Sequence, residues 1–113
     1  MKKILCLVTT IIGIGCVCTA ALATMQWYKT FNNTYKPASG TVLKSAQCGV
    51  CHVKSNSQGG LNPYGKLLEG KKISTSSLKA IENTDADKDG FSNIVEIKAG
   101  SLPGDPQSKP SGK

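Results

Sequence analysis

The chain has 113 residues, with 14 Lys and no Arg against 7 acids, a formal net charge of +7. That length holds one small domain. Removal of an N-terminal signal would leave only Cys48 and Cys51, and a pair this close closes almost no loop, which excludes a disulfide-stapled fold.

Residues 1–23 read as that signal. Met1-Lys2-Lys3 is a basic start, Ile4 to Ala20 is an uncharged apolar run, and Ala21-Leu22-Ala23 is a small-residue cleavage site. Cutting after Ala23 takes Cys6, Cys16 and Cys18 with it and leaves a domain of 90 residues, 24–113, with a charge of +5. The alternative is an uncleaved membrane anchor, since Ile4 to Ala23 is 20 residues, just enough to span. Lipid attachment at Cys16 is the weaker alternative, because Gly13 stands where a branched apolar residue belongs. The expected location is periplasmic or otherwise exported, which disfavours nucleic acid as a partner; a membrane enters only if the N-terminal segment stays on.

Residues 24–36 carry Trp27, Phe31 and Tyr35 at i, i+4 spacing, one face of a short helix. Thr41 to Cys51 has helical spacing through Leu43, Ala46 and Val50. Lys54 to Asn62 is a polar, Gly-rich loop. Asn62 as N-cap and Pro63 at the first helical position start a helix that runs to Glu69 and stops at Gly70. Ser74 to Ile81 reads as another helix, capped by Ser76 or Ser77. Asn93 to Ala99 is a last helix, closed by Gly100. The tail, 103–113, is rich in Pro, Ser, Gly and Lys and reads as extended. No period-2 strand appears. The expected fold is all-α: a small bundle of short helices. Of the 90 mature residues 28 are apolar, 38 with glycine, or about 42% against the ~45–50% of ordinary domains. So thin a core calls for a cofactor or a metal to fold around.

Cys48-Gly49-Val50-Cys51-His52 is C-x-x-C-H, the attachment signature of c-type haem. Two thiols three positions apart on a helical turn each reach one vinyl group, and the adjacent His52 supplies the proximal axial nitrogen. A closed Cys/His zinc site needs four ligands, and the mature chain has no further Cys or His. A thioredoxin-like dithiol needs a βαβ setting, which is missing. The second axial ligand is less plain. His52 is the only histidine, and Met25 the only mature methionine, 23 residues before Cys48. Met25 is the candidate distal ligand; the alternatives are an open or water-bound site, a Lys, Tyr64 or the Thr24 amine.

Residues 85–96 fit D-x-D-x-D-G-x5-E, a calcium loop. Asp85, Asp87 and Asp89 alternate so that a curled loop points all three inward, and Gly90 permits the sharp turn. The Phe91 carbonyl serves position seven, Asn93 position nine, and Glu96 closes the site at position twelve. Five of the seven mature acids lie between residues 82 and 96 of an otherwise basic chain. The bland alternative is a solvated acidic turn before a helix.

The C-x-x-C-H segment resembles a monohaem c-type cytochrome. Residues 85–106, with a short helix and Gly100-Ser-Leu-Pro103-Gly-Asp105-Pro106 after the acidic loop, resemble a thrombospondin type 3-like calcium repeat. In that resemblance Asp105 is an extra calcium ligand. The two occur together with Leu61-Asn62-Pro63-Tyr64-Gly65 between them, a combination similar to a group of small exported monohaem cytochromes over residues 40–110. Small class I members carry a distal Met after the haem motif, and this chain has none there. The resemblance implies a single covalent haem c, a structural calcium ion and one-electron transfer between redox partners, with no bond made or broken in a substrate. Tyr64 is expected either to pack on the haem or bond a propionate, or to be an ordinary core tyrosine. The Lys excess, with Lys44, Lys54 and Lys66 nearest the motif in sequence, suits docking on an acidic partner face. The alternative functions are a haem gas sensor or peroxide-reducing enzyme with an open distal site, and a haem subunit of a larger redox complex.

Overall fold

A computed structural model describes residues 18–56 and 58–111, with side chains from residue 25 onward. The basic start and residues 4–17 of the apolar run lie outside the described residues. The elements are α1 (Cys18–Tyr35), α2 (Val42–Ala46), a 3-10 turn (Gln47–Val50), α3 (Pro63–Leu68), α4 (Thr75–Ala80) and α5 (Asn93–Ala99). The described residues contain no strand; extended backbone pairs only at a bridge between His52 and Leu61. The expected all-helical architecture is present. Among the described residues no helix is long and apolar enough to cross a membrane.

Helix α1 begins six residues earlier than the aromatic spacing indicates and runs without a break through Ala21-Leu22-Ala23. The other helices are five to seven residues long, too short to persist in water unaided, and each is fixed at its ends by local chemistry. The Thr41 hydroxyl accepts the Lys44 N–H at 3.2 Å. Asn62 Oδ1 accepts the Gly65 N–H at 2.9 Å, with Pro63 at the first helical position. On α4 the cap is Ser74, whose Oγ accepts the Ser77 N–H at 3.2 Å, and not Ser76 or Ser77. Helix α5 ends in a left-handed Gly100 at φ 79°.

The core draws on every helix: Phe31 from α1, Leu43 from α2, Tyr64 and Leu68 from α3, Leu78 from α4 and Ile97 from α5, joined by Val50 and Ile81. Phe31 is its hinge, with its ring 5.0 Å from Tyr35 and 6.1 Å from an edge-on Tyr64, distances at which aromatic pairs attract. The end of α5 is tied to the start of α2 by the Leu43 N–H donating to the Gly100 carbonyl at 3.0 Å.

From Pro103 to Ser108 the tail is turned and not extended. Pro103 and Gly104 are buried. The chain turns there, with the Asp105 N–H donating to Leu102 O at 3.3 Å, the Ser108 N–H to Asp105 O at 2.9 Å, and the Leu102 N–H to Ser108 Oγ at 3.0 Å. Leu102 packs against the core, and the Pro-Gly pair that suggested a loose tail instead makes a tight turn against the body.

Candidate functional site

Two sites emerge, one at each motif. At the first, α2 passes through Gln47 at φ 51° into the 3-10 turn. The N–H groups of Cys51 and His52 both donate to the Cys48 carbonyl, at 3.2 and 2.9 Å. These two hydrogen bonds coil residues 48–52 so tightly that Cys48, Cys51 and His52 line one cleft. Trp27, Tyr28 and Phe31 of α1 form one wall, and Leu61 and Leu68 flank α3 on the other. The cleft holds about 730 Å³ of space, counting the part open to solvent.

Cys48 and Cys51 are free thiols, each half-buried. Burial, and then the neighbouring Cys48, push the Cys51 thiol up to about 12. His52 Nδ1 is buried without a hydrogen-bond partner. Two thiols and an imidazole on one apolar cleft are the donor set that a covalently held haem requires, so the residues present fit the group.

The other residues singled out around this motif fall in different places, Tyr64 taking the core position that was one of its two expected roles. Met25 is 57% exposed and does not line it. Helix phase gives the reason: at 3.6 residues per turn Met25 lies about 120° away from Phe31 around the helix, whereas Trp27 lies about 40° from it. Tyr64 is fully buried in the core beside Phe31, with its hydroxyl unpartnered and pushed up by burial, and it is not a cleft-lining residue. Lys44, Lys54 and Lys66 are exposed and lie off the cleft, which Lys71 lines instead.

Asn62 is the residue at this site whose importance the sequence understates. It reads as a helix cap, but it also fastens the motif. Its Nδ2 faces the carbonyls of Gly49 at 3.2 Å, Val50 at 3.0 Å and His52 at 3.4 Å, sharing its two hydrogens among the three. Its backbone N–H donates to Cys51 O at 2.9 Å. Beside it Gly65 brings α3 against the motif, since a Cβ there would overlap the Cys51 carbonyl. The signal was the Leu61-Asn62-Pro63-Tyr64-Gly65 segment itself, which shows no spacing that would reveal contacts ten to thirteen residues away.

At the second site, carboxylate oxygens of Asp85, Asp87 and Asp89 all lie within 4.8 Å of one another. The loop curls through positive φ at Lys88 (60°) and Gly90 (97°). Backbone amides hold the carboxylates in place. The Asp89 N–H donates to Asp85 Oδ1 and Asp87 Oδ1, both at 3.2 Å, the Gly90 N–H to Asp85 Oδ2 at 2.9 Å, and the Phe91 N–H to Asp89 Oδ1 at 2.9 Å. Asp87 Oδ2 and Asp89 Oδ2 are left buried and unpartnered.

Glu96 decides how to read this cluster. Its side chain is 0% exposed and neither carboxylate oxygen has a donor. Burial, followed by Asp87, Asp89, Asp85 and Asp105, raises its carboxyl from 4.5 to about 8. Burial and then Asp89 raise Asp87 from 3.8 to about 6. Asp85, Asp87 and Asp89 could hold a cation, and Glu96 lies beside that cluster without being part of it. A hard divalent cation would offset the cost of the unpartnered carboxylate oxygens. Asp105 stands near enough to act on Glu96. Asn93, expected at position nine, is turned elsewhere. It is fully buried, its Oδ1 accepts the Ala86 N–H at 3.2 Å and its Nδ2 donates to Ile81 O at 2.8 Å. It closes the two ends of the loop on each other.

No family model, curated protein or solved structure matches the chain.

Proposed function

We propose that the chain is an exported c-type cytochrome that carries single electrons through one covalently attached haem, with a structural calcium ion in the acidic loop. The observation that carries this reading is the convergence of Cys48, Cys51 and His52 on one cleft walled by Trp27 and Phe31. Cys48 and Cys51 would hold the haem, each thiol adding across one vinyl group to give a thioether with no leaving group. His52 would offer a ring nitrogen to the iron, and the apolar side chains of Trp27 and Phe31 would keep water away from it. A haem held there supplies the ferric/ferrous couple. Asp85, Asp87, Asp89 and Glu96 hold the cation, whose binding energy becomes folding energy. The basic start, apolar run and Ala21-Leu22-Ala23 support export to the periplasm. The Lys excess suits an acidic redox partner.

The exposure of Met25 favours a second reading, in which the iron keeps an open face and the protein senses a gas or reduces peroxide. Optical spectra of the oxidised and reduced protein, with and without carbon monoxide, separate the two. A sharp reduced α band that carbon monoxide leaves alone supports the carrier. A high-spin spectrum that carbon monoxide shifts supports the open site. Protein that carries no haem through denaturing electrophoresis overturns both.

A further inference from the structure

We propose that Asn62 is the positioning residue of the haem-attachment turn, holding the backbone of residues 49–52 so that His52 presents its ring to the cleft. The inference rests on the haem reading above and adds to it a residue outside the C-x-x-C-H motif.

Asn62 is 6% exposed and makes use of every polar group of its side chain. Side chain and backbone together serve four successive carbonyls, those of Gly49, Val50, Cys51 and His52, at 2.9–3.4 Å. Capping α3 requires only the Oδ1 acceptor, which Ser74 and Thr41 provide on α4 and α2 with a hydroxyl. Neither a hydroxyl nor a carboxylate has an –NH₂ group to spread over three carbonyls. The requirement for asparagine therefore comes from the turn and not from the helix.

The amide is also held from behind. A Cβ on Gly104 would lie 2.5 Å from Asn62 Oδ1, 2.6 Å from Cγ and 2.7 Å from Nδ2. Only a glycine lets the tail backbone come this close to the amide, and the contact backs the side chain on the side away from the turn. His52 makes this matter. A ligating histidine is ordinarily oriented by a hydrogen bond from its other ring nitrogen, and His52 Nδ1 has no such partner among the described residues. The orientation of the ring then depends on the backbone of residue 52, which Asn62 grips on both sides through the carbonyls of Cys51 and His52.

The test uses the full chain with Asn62→Ser, which keeps the cap acceptor and loses the –NH₂ group, and Gly104→Ala, which pushes the amide out of place while leaving Asn62 intact. In the haem-free chain, both variants should raise hydrogen exchange at the amides of residues 51–53 at least tenfold while α4 and α5 stay protected. In the haem-loaded chain, both should shift the ferric electron-paramagnetic resonance g values and the iron–histidine stretch. Should Asn62→Ser fail to fold, Gly104→Ala alone decides. Unchanged exchange and unchanged spectra in a folded variant would reduce Asn62 to a helix cap. Wild-type chain that takes up no haem would overturn the haem reading, and the exchange measurement would still judge the clamp.

Discussion

Glu96 sits with both oxygens buried, near enough to Asp85, Asp87, Asp89 and Asp105 for their charges to act on it. Without a cation, the folded chain therefore holds protons that the unfolded chain releases, at Glu96 up to about 8 and at Asp87 up to about 6. Where the native state binds more protons, stability falls as pH rises. The contribution is full below the ordinary carboxylate range and is lost as pH rises toward 8. Chelator-treated protein should accordingly melt several degrees lower at pH 8 than at pH 5. Calcium should reverse this, because it binds the ionised carboxylates, giving a large rise in melting temperature at pH 8 and little at pH 5. At a hundred times its dissociation constant the ion contributes about 2.7 kcal/mol, worth on the order of 10–20 °C in a domain this size. Glu96→Gln removes the charge. In chelator at pH 8 that variant should melt above the wild type, and its calcium response should shrink by at least half. A wild-type melting temperature indifferent to both pH and calcium would leave Glu96 without this explanation.

The short helices depend on their caps, and Ser74 gives the clearest case. Its Oγ accepts the Ser77 N–H, and the neighbouring hydroxyls of Ser76 and Ser77 gather round it. Ser74→Ala should cost about 1 kcal/mol in urea denaturation, and Ser76→Ala under ~0.5 kcal/mol. Equal losses would mean that the cluster acts as a unit. The sequence could not pick this cap, because Ser74-Thr75-Ser76-Ser77 offers four hydroxyls in a row and only packing against α1 sets the phase. Where a single signal stood alone, the reading matched the structure: Asn62 before Pro63, and Asn93 to Ala99 before Gly100. The Cys48-to-His52 spacing and the alternating aspartates were legible for the same reason, since each is a local pattern. The stripe through Trp27 and Phe31 was seen as a helix face, but nothing local showed that this face would wall the cleft and turn Met25 outward. Long-range contacts of Asn62 and the role of Asn93 as a loop clasp were hidden in the same way.

At the scale of the whole molecule, the two motifs meet in the tail. Asp105 lies close enough to Glu96 to raise its carboxyl, and the adjacent Gly104 rests on the Asn62 amide that grips the turn of residues 49–52. The Ser101 N–H and Oγ both donate to the Glu96 carbonyl, at 3.0 and 3.2 Å, so the tail leaves α5 in a fixed direction. One stretch of five residues thus runs from the acidic loop to the turn. With the cation in place, Asp105 experiences attraction as well as repulsion from the neighbouring carboxylates. With it removed, the repulsion stands alone and the tail has less to hold it down. Local opening of this kind lowers protection in contiguous units rather than throughout a fold. Chelation at pH 8 should therefore speed hydrogen exchange in residues 85–96, then in 101–108, and more weakly at 51–53, while the amides of α4 change little. Asp105→Asn should uncouple the effect, leaving the loop responsive to calcium and the turn indifferent to it. Exchange that changes only within residues 85–96 of the wild type would mean that the two sites share a chain without sharing a mechanical connection.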